Sequence, residues 1–192
     1  MIRALYDWTM ARATSPYALA FLALVAFVES SVFPIPPDVL LIPMVLAARD
    51  KAWLYAAVAT VASVLGGGLG YAIGAFLFDA VGQPVLNFYG YADKFATFEG
   101  WYHEQGGWIV FGAGLTPFPY KVVTIASGAV HLDLATFFGA SLLSRGLRFF
   151  IVAGLLWQFG PPIRTFIEAN LGWLTVVFFL LLVGGFAALK LL

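Results

Sequence analysis

Val28 to Val39 reads VESSVFPIPPDV, and it sets a glutamate, three prolines and an aspartate inside an otherwise apolar run. A helix crossing lipid avoids all of these. Each proline removes a backbone donor and clashes with the preceding turn. A charge at mid-bilayer costs about 2.5–3.5 kcal/mol on insertion scales. The rest of the chain leaves little room for a soluble reading. Of 192 residues, 62% are hydrophobic and only 10% are charged, against about 25% in an ordinary soluble domain. So few charges cannot cover a water-exposed surface. The chain reads as one transmembrane domain over 1–192, an all-α polytopic membrane protein.

Ten basic and ten acidic residues balance, so nothing points to a nucleic-acid partner. The absence of cysteine excludes disulfides, thiolate metal sites and a cysteine nucleophile. No metal or cofactor is expected. Arg3 and Arg12 precede an apolar run, as in a signal peptide. That run continues to Glu29 without a small-residue cleavage pattern, so the segment is expected to be retained.

Apolar runs extend over 17–48, 52–78, 108–130, 134–159 and 171–192. The first is broken by Pro34, Pro36 and Pro37, the third by Pro117 and Pro119. An unbroken helix of about 20 residues spans the hydrocarbon. The arms beside Pro117 and Pro119 have about nine and eleven residues and cannot each span. Each can enter and return, which makes a re-entrant hairpin; the alternative is a pair of proline-kinked spanning helices. Shifting the sequence by 83 residues places Pro34 on Pro117, Pro36 on Pro119, Val39 on Val122, Ile42 on Ile125 and Asp50 on Asp133. With one full span between the hairpins, the two halves enter from opposite faces. The expected fold is therefore an inverted repeat. It comprises two re-entrant helical hairpins with tips at Pro34, Pro36, Pro37, Pro117 and Pro119, and about three to four spanning helices. Repeat 1 covers about 17–79 and repeat 2 about 108–159. An interfacial amphipathic segment, 80–107, lies between them, and a C-terminal helix occupies 171–192. Arg3, Arg12, Arg49, Lys51 and Arg164 on one side against Lys94 and Lys190 on the other put the N-terminus in the cytoplasm.

Gly66, Gly70 and Gly74 recur every four residues in the second run, a face on which helices approach closely. Phe88, Tyr91, Phe95, Phe98 and Tyr102 alternate by three and four, the period of a helix lying in the interface. His103 and His131 fall in wet or turn segments and receive no catalytic role. Lys190, at an edge, can snorkel.

Charges remain inside the apolar runs. Glu29 and Asp38 flank the first proline break and Lys121 the second. Arg145 and Arg148 lie near the centre of the fourth run, three apart, and so share a face. The carboxylates can pair with the arginines and hold the bundle shut. Three cations against two carboxylates also leave one positive charge in excess, which an anion would complete. Arginine suits phosphate because its fork binds two oxygens at once.

Glu29-Ser-Ser with Phe33-Pro-Ile-Pro-Pro-Asp38, then Gly66-x-x-x-Gly70-Tyr-x-Ile-Gly74, then Pro117-Phe-Pro-Tyr-Lys121 resemble the DedA family of membrane proteins, also called VTT-domain proteins, and within it a YqaA-like branch. The resemblance covers about Phe27 to Trp157. It implies movement of a polyprenyl phosphate, the undecaprenyl carrier of bacterial envelope synthesis, across the inner membrane, with proton dependence in some members. Eukaryotic relatives scramble phospholipids. Glu29 and Asp38 match the family's acidic positions, and Arg145 and Arg148 its basic helix. Many members carry arginines three before and three after the proline of the second hairpin. Gly114 and Tyr120 stand there instead, with Lys121 adjacent, a departure that points to a different anionic lipid or a small solute.

The expected function is a lipid-phosphate flippase without ATP hydrolysis, since no G-x-x-x-x-G-K-[ST] loop is present. Lys121, Arg145 and Arg148 would bind the phosphate, and Glu29 and Asp38 would couple protons. Expected partners are membrane lipids, protons and a homo-oligomeric copy of the chain. The alternatives are a proton-coupled transporter of a small solute or ion, and a general phospholipid scramblase. A head-group enzyme is weakest, because no serine is paired with a histidine and no metal-ligand cluster is evident. The chain is therefore expected not to be an enzyme.

Overall fold

The computed structural model describes residues 17–31, 36–89, 92–116 and 118–189; at 79, 81, 85–86, 89, 92–94, 161 and 163–189 the description covers the backbone alone. Pro34 and Pro117, two of the expected hairpin tips, fall outside it, as do Tyr91 and Lys190. Among the described residues the chain is helical, with no strand. Helices α1 (Ala18–Ser31) and α2 (Asp38–Ala47) flank the first proline break. A 3-10 turn at Arg49–Lys51 leads into α3 (Ala52–Leu77). A single π turn at Phe78–Gly82 is followed by α4 (Gln83–Tyr89), α5 (Ala92–Leu115), α6 (Tyr120–Ala129) and α7 (Leu134–Leu189).

Two segments, Arg49–Leu77 and Leu134–Gly160, are long and apolar enough to cross a membrane. Helices α1, α2 and α6, with 14, 10 and 10 residues, are not. They reach about 21, 15 and 15 Å against a hydrocarbon core of about 30 Å.

Helix α3 is the centre of the bundle, and its glycines explain how. A Cβ on Gly66 would lie 2.0 Å from the carbonyl oxygen of Phe27 on α1, and one on Gly74 would lie 1.9 Å from that of Ile125 on α6. The approach is reciprocal: a Cβ on Gly128 of α6 would lie 1.9 Å from the Tyr71 carbonyl oxygen of α3. Gly70 sits between the two contacts, facing Thr124 and the carbonyl of Ser30. Helices α1 and α6 are thus seated backbone to backbone on one glycine face of α3, as the four-residue spacing requires. Thr124 Oγ1 donates to the Ser30 carbonyl oxygen at 3.2 Å, so the end of α1 and the start of α6 also touch each other. One apolar core joins α1, α2, α3 and α7 through Leu22, Leu41, Met44, Tyr55, Ala59 and Phe149. A second joins α5, α6 and α7 through Tyr102, Val110, Tyr120, Val123 and Phe137.

Two expectations change. The wet segment before the second break is not a separate surface helix: α5 runs without interruption from Ala92 to Leu115. Of its aromatic residues Tyr102 turns inward, Phe95 is half-buried and Phe98 stays 40% exposed. Tyr102 is buried, and its hydroxyl is 2.9 Å from Ser127 Oγ on α6. That side continues into Val110 and Ala113, so one helix buries both. His103 stays exposed beside Glu99, one turn away. The second change is at Gly160-Pro161-Pro162, which lies inside one 56-residue helix rather than between two.

The turn between α6 and α7 is built by local chemistry. His131 adopts the left-handed conformation, φ 50°. Its amide donates to Gly128 at 3.0 Å and that of Leu132 to Ser127 at 2.9 Å, closing the end of α6 as a Schellman motif. Asp133 then caps α7: its Oδ2 accepts from the Thr136 amide at 2.8 Å and from the Thr136 hydroxyl at 2.9 Å. Those bonds, the amide first, hold its carboxyl below the usual carboxylate range.

Candidate functional site

The two arginines of α7 reach both proline breaks. Arg145 is 2% exposed, and its Nη2 lies 2.7 Å from Oε2 of Glu29, near the end of α1. Its Nε donates to Ser63 Oγ on α3 at 2.6 Å. Ser63 Oγ is 2.7 Å from Ser30 Oγ, which is in turn 3.2 Å from Oε2 of Glu29. These four side chains close a ring. Either hydroxyl can donate in the Ser30–Ser63 contact; with Ser63 as its donor, Ser30 keeps its own proton for other partners. Ser30 then donates to Glu29 or to the Ala26 carbonyl at 3.0 Å. The guanidinium carbon also lies over two aromatic rings, 4.9 Å from the Tyr120 centroid and 4.8 Å from that of Phe149. Cation–π contact with two rings, one carboxylate and one hydroxyl compensate a charge that water barely reaches.

Arg148, one turn further along α7, is more open. Its Nη2 lies 2.5 Å from Oδ2 of Asp38, the first residue of α2. Its Nη1 donates to the Thr116 carbonyl oxygen at 2.9 Å. Thr116 stands just past the last turn of α5, where a carbonyl has no helical donor. One guanidinium therefore ties the residue after the first break to the residue opening the second. The side chains of Arg148 and Asp38 remain 20% and 19% exposed.

Glu29, Asp38, Arg145 and Arg148 thus come together as two ion pairs on one face of α7. Lys121 sits on the first turn of α6, half-buried, next to Tyr120. Of the described prolines, Pro37 is buried ahead of α2, and Pro36 and Pro119 are half-buried.

Sequence reasoning did not pick out Ser30, Ser63, Tyr120, Ser141 or the Thr116 carbonyl. Tyr120 Oη donates to Ser141 Oγ at 2.5 Å, which fixes the ring under Arg145. Gly114 and Tyr120, the two positions lacking the expected arginines, both border Arg145. A Cβ on Gly114 would meet Ser144 Oγ at 2.1 Å and Arg145 Cδ at 3.6 Å. Arg145 and Arg148 of α7 bring positive charge to the second break in addition to Lys121, and Gly114 leaves room beside Arg145.

Comparison with known proteins gives the same region. The VTT domain family model matches residues 35–158. An uncharacterized protein of Haemophilus influenzae is 38% identical over 177 residues, covering 90% of this chain and 91% of its own. An uncharacterized protein of Histophilus somni is 37% identical over 177 residues, covering 90% of this chain and 92% of its own. No solved structure matches the chain. With a matched domain that runs from the first break through both arginines of α7, the chain belongs to the VTT-domain family, the DedA family of membrane proteins.

Proposed function

We propose that this DedA-family membrane protein moves the phosphate head group of an anionic lipid, such as the undecaprenyl phosphate carrier, across the bacterial inner membrane. The observation that carries the reading is the pair of arginines on α7, each held by a carboxylate and each facing a proline break. Both guanidinium forks match phosphate oxygens, and a phosphate competes with Glu29 and Asp38 for the same donors. Protonation of a carboxylate frees its arginine for the lipid, and release of the lipid returns the arginine to the carboxylate. Transport coupled to protons follows from that exchange. Lys121 adds a third cation at the second break. The protein acts as a transporter, without a cofactor and without bond-making chemistry on the lipid.

The same reading treats α1–α2 and the last turns of α5 with α6 as two re-entrant hairpins of an inverted repeat. Three observations support it. Helices α1, α2 and α6 are short. Element boundaries recur at the 83-residue shift, with the segment 32–37 falling on 115–120. The end of α1 and the start of α6 meet at Gly66–Gly74, from the middle of α3 onward. Irregular backbone at that depth is tolerated where it is buried in protein or lines a polar cavity. Acyl tails stay in lipid while the head group passes between the breaks.

Glu29→Gln and Asp38→Asn keep the side-chain shape and remove the titration. In proteoliposomes loaded with a polyprenyl phosphate, at least one is expected to bind the lipid but to lose the response of transport to a proton gradient. Thermal unfolding of the same samples separates coupling from a pure bracing role. Stable, uncoupled variants support exchange; variants that simply unfold support bracing; stable variants that transport and respond as wild type defeat both. A neutral, zwitterionic phospholipid tested in parallel distinguishes the flippase from a general scramblase. A soluble phosphate distinguishes it from a small-solute transporter.

A further inference from the structure

Helix α7 contains Pro161 and Pro162 and yet runs from Leu134 to Leu189. In a helix the amide of residue i donates to the carbonyl of residue i−4. Pro161 has no amide for the Trp157 carbonyl, and Pro162 has none for Gln158. Arg49 supplies what is missing. Its Nη2 donates to the Trp157 carbonyl oxygen and lies 3.5 Å from that of Gln158. These are the two carbonyls that the prolines orphan, and both go to one nitrogen of a residue far away in sequence.

The surroundings fit this contact. Gly160 leaves space for the guanidinium stem: a Cβ there would stand 3.2 Å from Arg49 Nε and 3.3 Å from Cδ. Arg49 Nε is itself buried without a hydrogen-bond partner among the described residues. The side chain is therefore placed by the carbonyls rather than by a carboxylate. Trp53, in the first turn of α3, braces the same stretch of α7, with ring centroids 6.0 Å from Phe150 and 6.1 Å from Trp157.

We propose that Arg49 is a positioning residue that acts as a surrogate backbone donor, splicing α7 across its Pro-Pro step and tying the α2–α3 turn to it. A helix with two freed carbonyls would otherwise kink or open there. Because α7 also carries Arg145 and Arg148, the splice holds the middle of the arginine-bearing helix, about two to three turns past Arg148, against the start of α3. This role is separate from the positive charge that Arg49 offers for membrane orientation, and it does not depend on which lipid is moved.

The test is a double-mutant cycle on the full chain in nanodiscs, read by backbone amide exchange over 155–166. Arg49→Ala is expected to raise exchange there by about tenfold. Arg49→Lys keeps the charge but not the fork, and should give an intermediate value. Pro161→Ala with Pro162→Ala restores both amide donors. In that background Arg49→Ala should change exchange little, and this arm also serves if the single variant folds poorly. Two results would overturn the proposal. One is unchanged exchange in Arg49→Ala, with water or lipid serving the carbonyls. The other is an equal rise with and without the prolines.

Discussion

Arg145→Ala is expected to abolish transport and to destabilise the protein by about 3–5 kcal/mol, the cost of breaking a buried pair and stranding its partner. The stranded groups are named by the geometry. Glu29 loses its cation, Ser63 loses the donor to its Oγ, and Tyr120 and Phe149 lose the ion over their rings. Arg145→Lys keeps the charge but cannot serve Glu29 and Ser63 with a planar fork, and only part of the loss should be recovered. Combining Arg145→Ala with Glu29→Ala removes both charges. That variant should regain much of the stability and none of the transport. Arg148→Ala should fall differently. Its pair with Asp38 is partly exposed, so its stability cost is smaller, while transport is lost as completely. Thermal unfolding in detergent beside a proteoliposome assay reads both. Wild-type transport by either alanine variant would remove that arginine from the site.

The second large effect is steric. Gly74→Ala places a methyl group against the Ile125 carbonyl, and Gly128→Ala places one against the Tyr71 carbonyl. Both obstacles are backbone, which cannot swing aside as a side chain can. Helices α3 and α6 must separate, at a cost of about 3 kcal/mol for each substitution. Separation also lifts α6 from its contact with Ser30, so Tyr120 shifts under Arg145 and transport should drop with stability. Gly100 and Gly112 on α5 provide the control. A Cβ on either meets nothing within 4 Å, so alanine there should stabilise by about 0.5–1 kcal/mol through reduced backbone freedom. Equal effects at all four positions would mean that the glycine face is not a packing face.

The four central charges were legible because lipid makes charge expensive, so Glu29, Asp38, Arg145 and Arg148 stand out from any apolar run. Their pairing was not legible. Which acid meets which arginine depends on how α7 is rotated against α1 and α2, and neither helix encodes that locally. Ser30 and Ser63 gave no signal because a hydroxyl in a membrane helix can bond back to its own backbone, as Ser30 does to Ala26. The glycine face was readable from spacing alone, but its two occupants were not. The extent of α7 was missed for a physical reason. Pro161-Pro162 reads as a stop wherever the freed carbonyls have no other donor, and the donor comes from the distant Arg49. The burial of Tyr102 was missed likewise: at an aromatic period it fits an interface or a core equally well, until Ser127 is placed opposite its hydroxyl.

Where the phosphate sits decides the account. A polyprenyl phosphate analogue with a photoreactive group beside its phosphate can be crosslinked to the protein in nanodiscs and the adducts mapped by mass spectrometry. Adducts are predicted within 28–38, 116–121 and 141–149, and they should be lost in Arg148→Gln protein that remains folded. Adducts confined to the turns at 48–51 and 131–133, or an unchanged pattern in Arg148→Gln, would contradict a phosphate site built by α7 between the two proline breaks.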